Sequence, residues 1–158
     1  MKTITIAQIQ SEILETAMVA TSTTLGDFES LQDLTDLLES IDTDSSDDFE
    51  IELPAGTVRV IHSDSIDKIQ QDELKSDLYA LGCFNASFLA GVLNMDQDVI
   101  ESMQQSEAFE AVGKLVMSLG KLEELQSEYS SSDGYGHHFA HYDHEEHEAG
   151  DYLIFRTN

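Results

Sequence analysis

The fold class is decided by thirteen consecutive residues, Phe49-Glu50-Ile51-Glu52-Leu53-Pro54-Ala55-Gly56-Thr57-Val58-Arg59-Val60-Ile61. Apolar and acidic residues alternate in the first five positions, and β-branched residues dominate the last five. Because successive side chains of a strand point to opposite faces, the pattern predicts two strands, with Phe49, Ile51 and Leu53 facing a core and Glu50 and Glu52 facing solvent. The segment between the strands contains proline and glycine and supplies the turn. A central β-hairpin near residues 49–61 is therefore expected.

Helical periodicity precedes and follows this hairpin. Apolar side chains that recur at spacings of three and four residues predict helices over 5–20, 27–41, 65–81, two short segments within 83–106, and 106–129. Five residues are expected to cap helix N-termini: Thr5 in a capping box, Asp27, Asn85, Asp96 and Ser106. Most of the chain before residue 130 is therefore predicted to form a helical body around the central hairpin.

The C-terminal part has a different composition. The segment Ser130-Ser131-Ser132-Asp133-Gly134 predicts a linker. Two segments rich in aromatic residues follow, at 136–142 and 151–156, and their alternation predicts a second hairpin. We therefore expect an α+β fold, with a mostly helical body over 1–129, and with a linker and a C-terminal β-hairpin over 130–158 packed on the same single domain.

The charge of the chain restricts its partners. Thirty-two Asp and Glu residues stand against seven Lys and Arg residues, which gives the 158-residue chain a formal net charge of −25. An apolar fraction of 41 % supplies a core, so a disordered acidic tail is not expected. Twenty-five charges correspond to roughly 42 Å of B-DNA, close to the diameter of roughly 40 Å expected for a compact chain of this length. Seven cations cannot neutralise a run of phosphates, so direct binding to nucleic acid is not expected.

The expected location follows from the sequence signals that are missing. No apolar stretch reaches the 18 residues that suggest a transmembrane helix, so no membrane contact is expected. No basic region followed by a continuous apolar core begins the chain, which argues against a secretory signal. The single Cys83 cannot form an internal disulfide and suits a reducing compartment. We expect a cytoplasmic protein, in the host cell cytoplasm if a phage encodes it.

The strongest candidate for a functional surface is an acidic run that no basic residue interrupts. Its eleven members are Asp27, Glu29, Asp33, Asp36, Glu39, Asp42, Asp44, Asp47, Asp48, Glu50 and Glu52. Three of its acids, Glu29, Asp33 and Asp36, lie on the predicted second helix, almost opposite an apolar face of Leu31, Leu34, Leu38 and Ile41. Acids at spacings of three and four residues on a helix are about 5–6 Å apart, which resembles the separation of successive phosphates. A recognition surface is the favoured interpretation, and a solvated acidic face remains open.

A calcium loop starting at Asp42 is a third interpretation of the acidic run. Such a loop needs glycine at its sixth position and an acidic residue at its twelfth. These positions hold Asp47 and Leu53. The calcium interpretation is therefore disfavoured.

Five histidines form a second cluster, at His137, His138, His141, His144 and His147. Asp143, Glu145, Glu146 and Glu148 lie beside them and complete a set of possible transition-metal ligands. The segment 144–147 is one residue short of the H-E-x-x-H zinc spacing and falls in a predicted loop. A solvated hairpin is favoured, no metal ligand and no cofactor is predicted, and metal binding remains an alternative.

No catalytic motif accompanies these clusters. Neither a nucleophile elbow nor a phosphate-binding glycine loop occurs, so an enzyme is not expected. Gly113 and Gly120 fall on nearly the same side of the predicted long helix, where another element can approach closely. A contact within the chain is favoured there, and a homodimer seam remains possible.

In size, charge and acidic helical surface the chain resembles the small acidic proteins of phages and mobile elements that inhibit host defence by imitating DNA, among antirestriction and anti-CRISPR proteins. The resemblance spreads over the whole chain and carries no sequence motif. It implies an inhibitor that occupies the cationic groove of a basic nucleic-acid-binding complex, either a restriction enzyme or a CRISPR surveillance complex. The alternatives are a non-enzymatic protein adaptor, a metal-binding protein that uses the histidine tract, and an acidic composition that reflects adaptation to high salt.

Overall fold

The computed structural model describes residues 5–158, and within them the protein is α+β, as predicted. The helices are α1 (Ile6–Thr21), α2 (Leu31–Ser40), α3 (Ile66–Ser76), α4 (Leu78–Gly82), α5 (Ala86–Leu93), α6 (Gln97–Gln105), α7 (Phe109–Ser118), α8 (Leu122–Asp133) and α9 (Gly136–Phe139). A short 3₁₀ helix covers Leu25–Asp27. The strands are β1 (Asp48–Leu53), β2 (Gly56–His62), β3 (His147–Ala149) and β4 (Tyr152–Arg156). All strand pairings are antiparallel.

The chain divides into two compact units. We call them the sheet unit (Met1–Ile66 and Gly134–Asn158) and the helical unit (Asp67–Asp133). The predicted division into 1–129 and 130–158 does not coincide with these units, because residues before and after the helical unit build one sheet. Residues 130–133, predicted as part of a linker, form the last turn of α8.

The sheet joins the two hairpins edge to edge in the order β1-β2-β4-β3. The central hairpin is confirmed, with Phe49 opposite Val60 and Ile51 opposite Val58. Ile51 and Leu53 are buried while Glu50 and Glu52 are exposed, as the alternation predicted. One face of the sheet packs on α1 in a core that includes Ile13, Leu14, Ala17, Ile51, Val58, Val60 and Ile154.

The two helices of the sheet unit differ in how well their starts were predicted. Thr5 caps α1 and forms the expected capping box with Gln8. The second helix was predicted to start from a cap at Asp27, and this is wrong: Asp27 closes a capping box with Thr24 on the 3₁₀ helix. The side chain of Ser30 caps α2 instead, by accepting the backbone N–H of Asp33.

The apolar face of α2 is also shifted from the predicted one. Leu34, Leu37 and Leu38 pack against the core and Ile41 is buried. Leu31, which was assigned to this face, is 81 % exposed. It is the first residue of α2, before the helix reaches the core.

The helical unit contains two breaks that periodicity did not reveal. The predicted helix over 65–81 ends at Ser76, and Asp77 caps the separate α4 by accepting the N–H of Ala80. The predicted helix over 106–129 is divided into α7 and α8, and Gly120 has a φ of +65° between them. The N-cap predicted at Ser106 is wrong, because Ser106 lies at the C-terminus of α6 and α7 begins after Ala108. Asn85 and Asp96 cap α5 and α6 as expected.

Gly113 makes a contact within the chain, as favoured from the sequence. A Cβ atom built at Gly113 would lie 2.0 Å from the carbonyl oxygen of Leu78, so the backbones of α7 and α4 are in direct contact there. Gly120 has no atom within 4 Å of such a position, and it serves the turn rather than a contact. The two glycines therefore do not form one packing seam.

The C-terminal hairpin is present, but its first strand lies later than predicted. Residues 136–142 were predicted as a strand, and they contain the short helix α9 instead. The carboxylate of Glu146 accepts the N–H groups of Tyr135 and Gly136 and satisfies the start of this helix. The strand β3 begins at His147.

Candidate recognition surface

Helix α2 carries three acids of the run on the side away from the core. At 100° per residue, Asp33, Asp36 and Glu39 fall within an arc of about 120°. All three side chains belong to exposed residues. Gln32 donates a hydrogen bond of 2.7 Å to Asp36, which holds that carboxylate on the helix surface. The helix therefore presents a row of negative charge to solvent.

Four acids of the run meet around an open groove of about 400 Å³. They come from three places in the chain: Asp27 and Glu29 before α2, Asp33 on its first turn, and Glu52 on β1. The remaining lining residues are Phe28, Leu37 and Pro54. The groove therefore combines an apolar lining with carboxylates from different elements, a juxtaposition that sequence spacing alone did not indicate.

The loop between α2 and β1 is ordered by its own acids. Asp42 accepts the N–H groups of Asp44 and Ser45, and the hydroxyl of Ser45 donates to its second oxygen. These hydrogen bonds, the Ser45 hydroxyl foremost, lower the pKa of Asp42 below its ordinary value. Asp47 accepts a hydrogen bond of 2.6 Å from the hydroxyl of Ser65. The carboxylates of Asp42 and Asp47 are thus held in place by backbone and hydroxyl donors.

Asp48 differs from the other members of the run. The Nε and Nη2 atoms of Arg59 reach its two carboxylate oxygens at 2.8 and 2.7 Å, which is a bidentate ion pair across β1 and β2. The arginine also stacks on the ring of Phe139, 5.1 Å from its centroid. No basic residue interrupts the acidic run in the sequence, but the pairing of β1 with β2 brings Arg59 next to Asp48. Asp48 is therefore a structural ion-pair partner and is little available to another protein.

The other ten acids are exposed, and the ion pairs found among residues 5–158 lie outside them. All eleven belong to the sheet unit. Whether they bind a partner stays a prediction. Two large apolar side chains near these acids are also exposed: Leu25, which precedes the run, is 66 % exposed, and Leu31, which lies within it, is 81 % exposed.

Charge is divided unevenly between the two units. The sheet unit contains nineteen acidic and three basic residues, a net charge of −16, and the helical unit contains thirteen and four, a net charge of −9. The four lysines of the helical unit each pair with an acid three or four residues away, as Lys114 does with Glu110. Lys75 and Lys68 lower the pKa of Asp72 in this way. The sheet unit is thus the more strongly negative body.

The histidine tract lies partly on α9 and partly in the loop before β3. The rings of His137 and His144 stack with centroids 5.2 Å apart, and a ring nitrogen of His141 contacts the carbonyl of His138. A separate group is formed by Asp143, Glu145 and His147, whose ligand atoms lie within 4.8 Å of one another. The sequence placed all three among the possible ligands but could not select them, because the turn that joins them depends on α9.

Among residues 5–158, no helix combines the length and the apolar character that crossing a bilayer requires. Comparisons with protein families, curated proteins and solved structures find no match for this chain.

Proposed function

We propose that the protein is a DNA-mimic inhibitor that occupies the cationic groove of a nucleic-acid-binding complex of host defence. The observation that carries the proposal is the run of acids between Asp27 and Glu52, of which ten are exposed on one folded unit. A folded unit whose surface carries many carboxylates presents negative charge like that of DNA phosphates. A cationic groove that binds a duplex can therefore bind this surface instead. Restriction enzymes and CRISPR surveillance complexes have such grooves and are the partners that the resemblance implies.

The groove beside α2 is the proposed centre of the contact. Its carboxylates supply negative charge. Its apolar lining at Phe28, Leu37 and Pro54 supplies apolar contact surface for the partner, which the phosphate backbone of a nucleic acid does not have. A few anchor residues near the centre of an interface contribute most of its binding energy, and large aromatic side chains are common among them, whereas charges at the rim speed the encounter.

The test uses two variants that lose equal charge. The first variant replaces five acids of the proposed surface by Gln or Asn: Glu29, Asp33, Asp36, Glu39 and Glu52. Asp47 and Asp48 are left unchanged because Ser65 and Arg59 bind them. The second variant, as a control, replaces five acids of the helical unit: Asp98, Glu101, Glu107, Glu123 and Glu128.

Affinity capture from host-cell lysate at low salt measures the outcome. The wild type and the helical-unit control should retain nucleic-acid-binding proteins that added duplex DNA releases, since duplex and mimic compete for one groove. The surface variant should retain at least about tenfold less, which corresponds to about 1.4 kcal/mol. Equal loss in both variants would mean that bulk charge, and not this surface, attracts the partner.

An adaptor that uses apolar contacts is the second candidate. The exposed Leu25 and Leu31 favour it, because an apolar contact needs no cationic partner. Its complexes should persist when the salt concentration is raised, since screening weakens exposed charge pairs and leaves apolar burial intact. Capture that survives high salt and ignores duplex DNA would support the adaptor and contradict mimicry.

A further inference from the structure

We propose that Asp143, Glu145 and His147 bind one divalent transition-metal ion, with Zn²⁺ as the best-fitting one. The three residues lie in the sheet unit, in the loop that joins α9 to β3 and at the start of β3. The site is separate from the acidic run and does not depend on the proposed inhibition.

The chain brings the three ligands together by a tight turn. One carboxylate oxygen of Asp143 accepts the N–H of Glu145 at 3.0 Å, which leaves its other oxygen for a metal. His144 between them has a φ of +61°, a left-handed conformation that reverses the chain. Glu145 then places Oε2 at 4.0 Å from Nε2 of His147.

The imidazole of His147 is the observation that points to a ligand. Its Nε2 atom is buried and has no hydrogen-bond partner among the described residues. Burying a polar nitrogen without a partner costs free energy, and such groups are rare in native proteins. A metal ion at this nitrogen satisfies it, and the two carboxylates beside it supply the opposite charge.

The spacing is close to that of a bound site. Tetrahedral Zn²⁺ holds nitrogen and oxygen ligands at about 2.0–2.2 Å, which sets neighbouring ligand atoms about 3.4 Å apart. The three ligand atoms lie within 4.8 Å of one another, so the widest separation exceeds this by at most about 1.4 Å. Rotation of the exposed Glu145 side chain closes such a difference without moving the backbone.

The chemical types of the three ligands indicate which class of metal ion the site would bind. An imidazole nitrogen suits zinc, copper, iron and nickel, whereas calcium and magnesium prefer sites made of oxygen. Two carboxylates balance the charge of a divalent ion. Three protein ligands leave the fourth position of a tetrahedral ion to water. The neighbouring His137 and His144 rings stack on each other, and His141 contacts a backbone carbonyl, so the site is distinct from the rest of the histidine tract.

Calorimetric titration of metal-free, untagged full-length protein with zinc chloride tests the site. The wild type should bind one equivalent that a chelator removes. His147→Gln, Asp143→Asn and Glu145→Gln should each weaken zinc binding by about 100-fold or more. Mutation of residues that only hydrogen-bond to metal ligands already lowers metal affinity by about 10–100-fold, so loss of a ligand itself should cost at least as much. The matched control His141→Gln should bind zinc within about twofold of the wild type. Equal weakening by His141→Gln would show binding spread over the tract and would overturn the proposal.

Imidazole NMR of the wild type keeps the test valid if a variant misfolds. Zinc should shift the Nε2 resonance of His147 at one equivalent, while those of His137 and His141 stay in place. Shifts confined to the other histidines, or no shift at one equivalent, would overturn the assignment.

Discussion

Replacing Gly113 by alanine tests the packing of the helical unit, because the contact there is between backbones. The new Cβ would lie 2.0 Å from the carbonyl oxygen and 2.8 Å from the carbonyl carbon of Leu78. An ordinary contact needs at least 3.4 Å, so α7 and α4 must separate by about 1.4 Å on the oxygen distance alone. Overpacking of this kind costs about 1–3 kcal/mol, and the upper end applies because no flexible side chain can move aside.

The helix propensity of alanine opposes this cost. Alanine in a helix interior is favoured over glycine by about 0.5–1 kcal/mol, so the net loss expected for Gly113→Ala is about 2 kcal/mol. Gly91 provides the matched control. It lies on α5 in the same unit, and a Cβ there has no atom within 4 Å. Gly91→Ala should therefore stabilise the helical unit by about 0.5–1 kcal/mol.

Native-state hydrogen exchange of amides in residues 67–133 measures both effects in the unit concerned. This readout is preferable to one global transition, because a chain of two units need not unfold in a single step. Protection should fall in Gly113→Ala and rise in Gly91→Ala. Similar protection in the two variants would refute the close approach of α4 and α7.

Two further predictions concern the sheet unit. Asp48→Asn should destabilise the sheet unit by about 1–2 kcal/mol in urea unfolding, because it breaks a partly buried bidentate ion pair with Arg59. The control Glu50→Gln, at an exposed position of the same strand, should change the free energy of unfolding by no more than about 0.5 kcal/mol. Equal effects of the two substitutions would argue against the ion pair. Burial, with a contribution from the charge of Asp47, raises the pKa of Tyr152. The neutral Tyr152 side chain therefore stabilises the folded state fully at pH values below the ordinary tyrosine pKa of about 10, and this stabilisation is lost as the pH rises through the folded-state pKa. The urea midpoint should therefore fall more between pH of about 9 and 11 in the wild type than in Tyr152→Phe, and equal falls would contradict the shift.

Local patterns in the sequence predicted the elements that depend on neighbouring residues. The alternation at 49–53 was sufficient for β1, because one face of that strand is buried and the other is exposed. The caps at Thr5, Asn85 and Asp96 were predictable because each side chain binds a backbone N–H two or three residues later. These interactions are complete within one turn of helix and need no tertiary partner.

Two errors occurred where a distant group decides the local structure. Residues 136–139 have the composition of a strand, but the Glu146 carboxylate and the packing of Phe139 on Phe155 favour a helix. The ion pair of Asp48 was missed because Arg59 is eleven residues away and becomes a neighbour only in the hairpin. A register drawn for the predicted hairpin would have placed Arg59 opposite Glu50, next to Asp48.

The candidate surface was predicted as a list of charges and not as a shape. The sequence predicted Glu29, Asp33 and Asp36 on one side of the second helix. In the structure Glu29 precedes α2, and Asp33 and Asp36 share an exposed side of the helix with Glu39. The sequence did not indicate that Glu52 of β1 joins Asp27, Glu29 and Asp33 around one groove. That meeting depends on how α2 packs against the sheet through Leu34, Leu37 and Leu38.

The salt dependence of partner binding tests the proposed mimicry most directly. The measurement is the dissociation constant of the wild type for its captured partner over a range of salt concentrations, beside the variant that lacks Glu29, Asp33, Asp36, Glu39 and Glu52. If the protein mimics DNA, the affinity of the wild type should fall steeply with rising salt, the variant should show a clearly shallower slope, and duplex DNA should displace the wild type. A wild-type affinity that is independent of salt and unaffected by duplex DNA would contradict the proposed mimicry.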